Sequence, residues 1–215
     1  MVTSVPAPLP AATPGSGEPR ERRRLALAVG LPALVLAGVG LGHPHHLDAG
    51  TATWWTWMHV LLLPVFPLLG VAHWLLLRGE RGPAAWLSRI AAFGYVTLYG
   101  ALDAIAGVGT GTLVLRSGAG DQADLPEVGW LFGVGNSLGT AGAWCLTAAC
   151  VLTPLVLRRR AGWRVLPGAV LLVASSWVFN GAHIYAPVGV LAVLGIGAGL
   201  VLLALSAPPL RAGAR

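Results

Sequence analysis

The sequence contains no lysine, and charged residues of either sign make up only 10% of its 215 residues. A soluble domain usually carries about 25% charged residues, so an ordinary soluble globular protein is excluded. Hydrophobic residues make up 55% of the chain, and its mean hydropathy is +0.72. This balance predicts a multi-pass protein of the cell membrane, with the lipid bilayer as its main partner. Because alanine and glycine are abundant and lysine is missing, we expect the inner (plasma) membrane of a bacterium with a GC-rich genome.

Several other functional signals are missing. The net charge of +6 comes from short arginine clusters between apolar runs, without the basic stripe that nucleic-acid binding requires. Nucleic acid is therefore excluded as a partner. The two cysteines, Cys145 and Cys150, are five residues apart, which places them on different helix faces and argues against a shared disulfide or metal. Neither a phosphate-binding loop nor a serine–histidine–aspartate set is recognisable, so nothing in the sequence favours an enzyme.

Six long apolar segments predict an all-α bundle of six transmembrane helices, because each approaches the roughly 20 residues that cross a bilayer. They lie near 25–42, 54–77, 86–110, 128–157, 165–184 and 187–206. Residues 1–24 are rich in proline and end in arginines, which predicts a disordered basic cytoplasmic tail, and residues 207–215 form a second short tail. The third span is expected to end at Gly107, Gly109 and Gly111. A cleaved signal peptide is the alternative for the first span, although its apolar run is long for one.

The placement of arginine predicts the direction of the spans. Thirteen arginines fall on one side of the six segments, and only Arg116 falls on the other. The side of Arg116 also holds four acidic residues, namely Asp48, Asp121, Asp124 and Glu127. Because cytoplasmic loops carry an excess of basic residues, both termini are expected in the cytoplasm.

The stretch GHPHHLDAGTATWWTWMH, residues 42–59, holds four of the six histidines in the chain. Trp54 begins the second predicted span at the outer interface, and His59 lies five residues later, roughly 7 Å deeper. Asp103 is fourteen residues beyond the nearest inner arginine, about 21 Å across a core of about 30 Å. His183 comes at the outer end of the fifth span. These ionisable groups thus share one depth, and such groups inside a membrane commonly face a bundle interior or a wet cavity.

We therefore predict an outer-facing site that binds a metal ion or haem, for transport, sensing or redox work. The predicted metal ligands are His43, His45, His46, Asp48, His59, Asp103 and His183, and the predicted polar pocket adds Tyr99, Asn136, Asn180 and Tyr185. We expect His59, Asp103 and His183 to form the inner shell, with the loop histidines recruiting the ion from outside. Imidazole and carboxylate ligands suit copper or zinc. A single haem with His59 and His183 as axial ligands is the other cofactor hypothesis.

Two further interpretations stay open. The same groups could form a proton or small-solute pathway, because imidazole titrates near neutral pH. Alternatively, the protein could be a non-catalytic membrane scaffold or partner subunit, or a homo-oligomer, whose polar residues only tie helices together. His73, next to Trp74, is predicted to lie at the cytoplasmic interface.

Overall fold

The computed structural model describes residues 18–206, and within this range the chain is all-helical, without a strand. Its helices are α1 Glu18–Gly40, α2 Ala52–Leu62, α3 Phe66–Leu76, α4 Pro83–Leu102, α5 Thr110–Ser117, α6 Pro126–Ala161, α7 Leu166–Ala182 and α8 Val188–Ser206. A π-helical segment, Asp103–Gly109, joins α4 to α5, and short 3-10 turns occupy Gln122–Asp124 and Gly162–Val165.

Five helical stretches in this range are long and apolar enough to cross a membrane. They are Pro19–Gly40, Ala52–Leu76, Pro83–Ser117, Pro126–Ala182 and Val188–Ser206. Many large apolar side chains on their outer surfaces are exposed, as expected for helices that face lipid. Length and composition therefore support a multi-pass membrane protein.

The predicted N-terminal boundary was wrong by about two turns. Residues 18–24 belong to α1, although the sequence assigned them to the disordered tail. Pro19 lies in the first turn of the helix, where proline is tolerated because the amide it lacks has no intrahelical partner. The rest of that tail, and the predicted tail 207–215, lie outside the described residues.

Two predicted spans contain breaks. The second span is divided into α2 and α3 around Pro64, because proline cannot donate the backbone hydrogen bond of a continuous helix. The third span does not end at its glycines: it continues through the π-helical segment and α5 to Ser117. At Gly107 and Gly111 an added Cβ would lie 2.3 Å from atoms of α2 side chains, so these glycines permit close helix packing instead of ending the span.

The longest apolar stretch turns back on itself at Gly162. This residue has a φ of 60°, which glycine adopts without steric cost, and it separates α6 from α7. The two helices then pack in opposite directions, since Thr147 contacts both Ser176 and Asn180 while the Trp144 and Trp177 rings lie 5.0 Å apart. Pro126–Ala182 is therefore a helical hairpin.

The hairpin helix α6 packs closely on α4 through glycine. Gly135, Gly139 and Gly142 recur every three or four residues and so share one helix face. A Cβ on Gly142 would lie 2.8 Å from the backbone nitrogen of Tyr99. Because backbone cannot move aside as a side chain can, this contact fixes the distance between α4 and α6.

Replacing Gly142 by alanine is therefore expected to destabilise the bundle by about 1–3 kcal/mol through overpacking. The matched control is Gly133→Ala on the same helix, where an added Cβ meets nothing within 4 Å. Thermal unfolding of both variants in detergent, followed by circular dichroism, measures the difference. Equal midpoints for the two variants would contradict the packing described here.

Candidate metal centre

Three histidines from three parts of the chain converge at one end of the bundle. His43 lies in the loop between α1 and α2, His59 lies on α2, and His183 directly follows α7. One ring nitrogen of each lies within 4.8 Å of the other two. The His43 ring centroid is 5.2 Å from that of His59 and 5.5 Å from that of His183. We refer to these three residues as the histidine cluster.

Local backbone features bring the three rings together. The loop after α1 is anchored by the Trp54 indole, which donates to the Gly42 carbonyl at 2.8 Å. Gly107, in the π-helical segment, allows that segment to approach His59 closely, because any side chain there would overlap the imidazole. His183 ends α7 with a φ of 47°, a backbone conformation that residues other than glycine seldom adopt.

Hydrogen bonds orient all three rings and fix the available nitrogen in two of them. Nδ1 of His43 lies 2.8 Å from the Pro44 carbonyl, and Nδ1 of His59 lies 2.7 Å from the Trp55 carbonyl. Because a carbonyl only accepts, both Nδ1 atoms must carry the proton, which leaves a lone pair on each Nε2. Nδ1 of His183 lies 2.5 Å from the Tyr99 hydroxyl, which can either accept from this nitrogen or donate to it, so this bond orients the ring without fixing its tautomer. Metal-binding histidines are usually oriented by such a bond on the second nitrogen.

Several polar atoms of this region have no partner. Among the described residues, the buried side-chain atoms without a hydrogen bond include His43 Nε2, both carboxylate oxygens of Asp103, and Asn180 Oδ1. Asp103 is only 1% exposed, and its Oδ1 lies 3.9 Å from His59 Nε2. Buried polar groups in native proteins are almost always paired. Four such atoms are thus concentrated at the end of the bundle that holds the histidine cluster.

A cavity of about 260 Å³ adjoins the histidine cluster. It is lined by His59, Asp103 and His183 and by all four side chains of the predicted polar pocket, namely Tyr99, Asn136, Asn180 and Tyr185. Five helical elements and the loop after α7 thus contribute polar groups to one space. The cavity has room for a small ligand beside the imidazoles.

His43 has its imidazole in the neutral form, which is the form that can coordinate a metal ion. Burial lowers the pKa of His43 from 6.5 to about 4, because the charged imidazolium loses its hydration there. Its ring is therefore neutral at physiological pH, with its Nε2 lone pair free of a proton.

Three of the predicted metal ligands, all in the loop after α1, lie outside both the histidine cluster and the adjacent Asp103. His45 is exposed and stacks on Tyr185 with ring centroids 5.1 Å apart. His46 pairs with Asp121, with 2.5 Å between Nε2 and Oδ2. Asp48 accepts the amide of Thr51 at 2.8 Å and so stabilises the turn before α2. Of the four predicted ligands in this loop, only His43 is therefore buried against the other cluster histidines.

The geometry does not fit the haem hypothesis. Axial ligation by His59 and His183 would place their nitrogens about 4 Å apart on opposite faces of the porphyrin, with iron–nitrogen bonds of about 2 Å. The nitrogen of His43 lies within 4.8 Å of both. That position would fall on the macrocycle itself, so the His43 ring occupies the space that a porphyrin needs.

The sequence analysis misplaced one buried histidine that lies outside the cluster, His73. His73 is completely buried, not interfacial, and its Nδ1 lies 2.7 Å from the Thr153 hydroxyl. Thr153 in turn contacts the Ser88 hydroxyl at 2.8 Å, and Cys150 Sγ lies 3.8 Å from His73 Nε2. The fourteen-residue spacing from His59, which places both side chains near one helix face, could have indicated this inward position.

No protein family, curated protein or solved structure matches this chain. Its function must therefore be inferred from the geometry and chemistry of its own residues.

The His46–Asp121 pair predicts a pH-dependent contact between two loops. The carboxylate raises the pKa of His46, and the imidazolium lowers the pKa of Asp121. The stabilisation from His46 is complete below its ordinary pKa and is lost as pH rises through its raised pKa. We expect the exchange protection of the Gln122 backbone amide, which donates to the Leu47 carbonyl, to fall as pH rises from the ordinary histidine pKa of about 6.5 through the raised pKa of His46.

Hydrogen–deuterium exchange, corrected for the intrinsic rate at each pH, measures this effect. In His46→Gln the protection should lack the pH dependence, because glutamine does not titrate. Constant protection in the wild-type protein over that range would refute the coupling.

Proposed function

We propose that this protein is a six-span membrane protein that binds one divalent zinc or copper ion through the histidine cluster, at the outer face of the bundle. Both termini then lie in the cytoplasm, and the ion is reached from the opposite side of the membrane.

Contacts between loops support this topology. The loop that follows α1 meets the loop that follows α5, since Asp48 and Asp121 form an isolated antiparallel bridge. At the other end, Glu80 after α3 pairs with Arg160 at the end of α6. Among the described residues, eleven arginines lie at or within a few turns of the end of the bundle that holds Glu80. Arg116 lies at the opposite end, which holds the histidine cluster. That asymmetry favours a cytoplasmic location for the Glu80 end.

Reporter fusions test the direction of the spans. Alkaline phosphatase fused after Gly120 should be active, because that loop is expected outside the cytoplasm, whereas the same enzyme fused after Arg160 should be inactive. Comparable protein amounts on immunoblots provide the control. The reverse activities would overturn the proposed orientation.

The unpaired atoms of the site are the main support for a bound ion. An ion beside the histidine cluster would give His43 Nε2 a partner and would lie near the otherwise unpaired Asp103 carboxylate. In a membrane interior such groups are costly when they lack partners. A scaffold role explains the bond between His183 and Tyr99, which joins the end of α7 to α4, but it does not explain His59, whose Nδ1 bond stays within its own helix.

The ligand chemistry favours zinc or copper(II). Three neutral imidazoles with a nearby carboxylate are the donors that these ions prefer, and hard ions such as magnesium or calcium need more oxygen ligands. Tetrahedral coordination with metal–nitrogen bonds of about 2.0–2.1 Å requires nitrogens about 3.3 Å apart. The three nitrogens lie within 4.8 Å of one another, so an inward movement of at most about 1.5 Å completes the geometry.

Asp103 offers a negative charge beside the ion. Its Oδ1 is 3.9 Å from His59 Nε2, so the carboxylate can coordinate the ion directly or accept a hydrogen bond from a water on it. Either arrangement offsets the charge of a divalent ion in an apolar bundle. The adjoining cavity leaves room on the same side for a further small ligand.

Metal content tests the site. After loading with zinc or copper and removal of excess ion, we expect about one ion per chain by inductively coupled plasma mass spectrometry, on tag-free protein. His43→Asn, His59→Asn and His183→Asn should each weaken binding at least about tenfold, since removing one of three ligands costs well over 1 kcal/mol. Asparagine is chosen because its amide can keep the donor role of Nδ1 while it lacks Nε2.

The matched control is His46→Asn, which removes an exposed imidazole of the same loop that lies outside the cluster. It should keep wild-type metal content. If the three cluster variants retain the ion, or if His46→Asn loses as much of it, the proposed site is wrong. Loss of thermal stability in the cluster variants, with no stoichiometric metal in the wild-type protein, would instead favour a structural scaffold.

A further inference from the structure

An open groove runs between α6 and α7 at the end of the bundle opposite to the histidine cluster. Its volume is about 490 Å³. Its walls are built mainly from small and branched apolar side chains, among them Val151, Pro154 and Leu155 of α6 and Ala169, Val173 and Ala174 of α7. Among the residues described, Arg158 is the one charged side chain on its wall.

Arg158 is held in a defined position at this groove. Its guanidinium carbon lies 3.9 Å from the centroid of the Trp163 ring, and Trp163 is itself 68% exposed. Stacking uses the flat face of the guanidinium and leaves its N–H edges free. Within residues 18–206 the Arg158 side chain has no hydrogen-bond or ion-pair partner, so those edges can receive an anion.

The surroundings carry an excess of positive charge. Arg159 in the last turn of α6 and Arg164 in the 3-10 turn that follows are both exposed, and within the described residues neither forms an ion pair. The nearby acidic residue Glu80 pairs with Arg160, which leaves its charge unavailable to Arg158. The end of the groove therefore attracts negative charge, while its walls attract hydrocarbon.

We propose that this groove binds a single anionic phospholipid, with one acyl chain between α6 and α7 and the phosphate against Arg158. The guanidinium can hold phosphate oxygens with two parallel hydrogen bonds. Basic pockets between membrane helices are known to recognise anionic headgroups. This inference depends on the chain lying in a bilayer, but not on metal binding by the histidine cluster.

The shape of the groove distinguishes this site from ordinary contact with lipid. From Val151 to Arg158 the wall on α6 rises about 10 Å, and from Leu166 to Ala174 the wall on α7 rises about 12 Å. A chain lying in this concavity contacts protein on both sides, whereas a chain on a convex helix face contacts it on one. A zwitterionic lipid could fill the same groove, but its terminal ammonium group would oppose the arginines.

The test is a lipid titration of the full-length, delipidated protein in detergent, followed by native mass spectrometry. The probes are phosphatidylglycerol and phosphatidylcholine with identical acyl chains. We expect the first equivalent of phosphatidylglycerol to bind at least about fivefold more tightly than that of phosphatidylcholine. Arg158→Gln should reduce this preference to less than about twofold. Ala169→Phe, which fills the groove without changing charge, should weaken the first equivalent of both lipids.

The matched control is Arg81→Gln, which removes an exposed arginine from the same end of the bundle but outside the groove. It should retain the wild-type preference. The proposal is overturned if Arg81→Gln lowers the preference as far as Arg158→Gln, if the wild-type protein binds both lipids equally, or if Ala169→Phe binds as the wild type does. If Arg158→Gln does not fold, Arg158→Lys replaces it in the test, because lysine keeps the charge but lacks the planar guanidinium. An unchanged lipid preference in Arg158→Lys would equally refute the role of Arg158. Metal content should be unaffected in all of these variants.

Discussion

The cost of burying Asp103 in an apolar bundle is the constraint on which the site depends. A carboxylate in hydrocarbon needs nearby polar groups, and here they come from elements that are far apart in the sequence. The π-helical segment begins at Asp103, and its Gly107 allows α2 to approach until the imidazole of His59 lies against the segment. The indole of Trp55 fixes this approach by donating to the Gly107 carbonyl at 3.0 Å. A π-helical turn, a glycine and a tryptophan thus combine to place one charged residue beside one histidine.

The depth of the site along the helices could be predicted from the sequence, but which loop residues belong to the site could not. Counting residues inward from Trp54 for His59, and outward from Arg89 for Asp103, placed the two at similar depth, because the helical rise is constant and needs no knowledge of packing. The roles of the loop histidines depend on side-chain direction in an irregular segment. There His43 turns into the bundle while His45 turns outward to stack on Tyr185, and no periodicity governs that choice. The glycines of the third span were misjudged for a related reason, since a glycine that ends a helix and one that permits a close contact look alike in sequence.

The surroundings of His73 and the histidine cluster differ in how completely their polar atoms are hydrogen-bonded. His73 shares a hydrogen bond with Thr153, and Thr153 shares one with Ser88, so α3, α4 and α6 are joined by a closed set of partners. This is the usual arrangement of polar residues that hold membrane helices together. The histidine cluster has the opposite character. Its rings are oriented by bonds on Nδ1, while His43 Nε2 and the carboxylate of Asp103 have none.

The proposed ion site requires rings that are held in fixed orientations while their coordinating nitrogens have no hydrogen-bond partner. Fixing three rings costs conformational freedom, and that cost brings no stabilisation unless the rings contact one another or a ligand. The contacts between the rings are edge-to-face, with centroids 5.2 Å and 5.5 Å apart, and such contacts leave the nitrogen lone pairs unused. An ion at the centre would use the lone pairs that the protein has left free, and the Nδ1 bonds would then strengthen each imidazole as a donor. If the proposed ion is bound, these ordinary loop and helix contacts would also influence how tightly the cluster holds it.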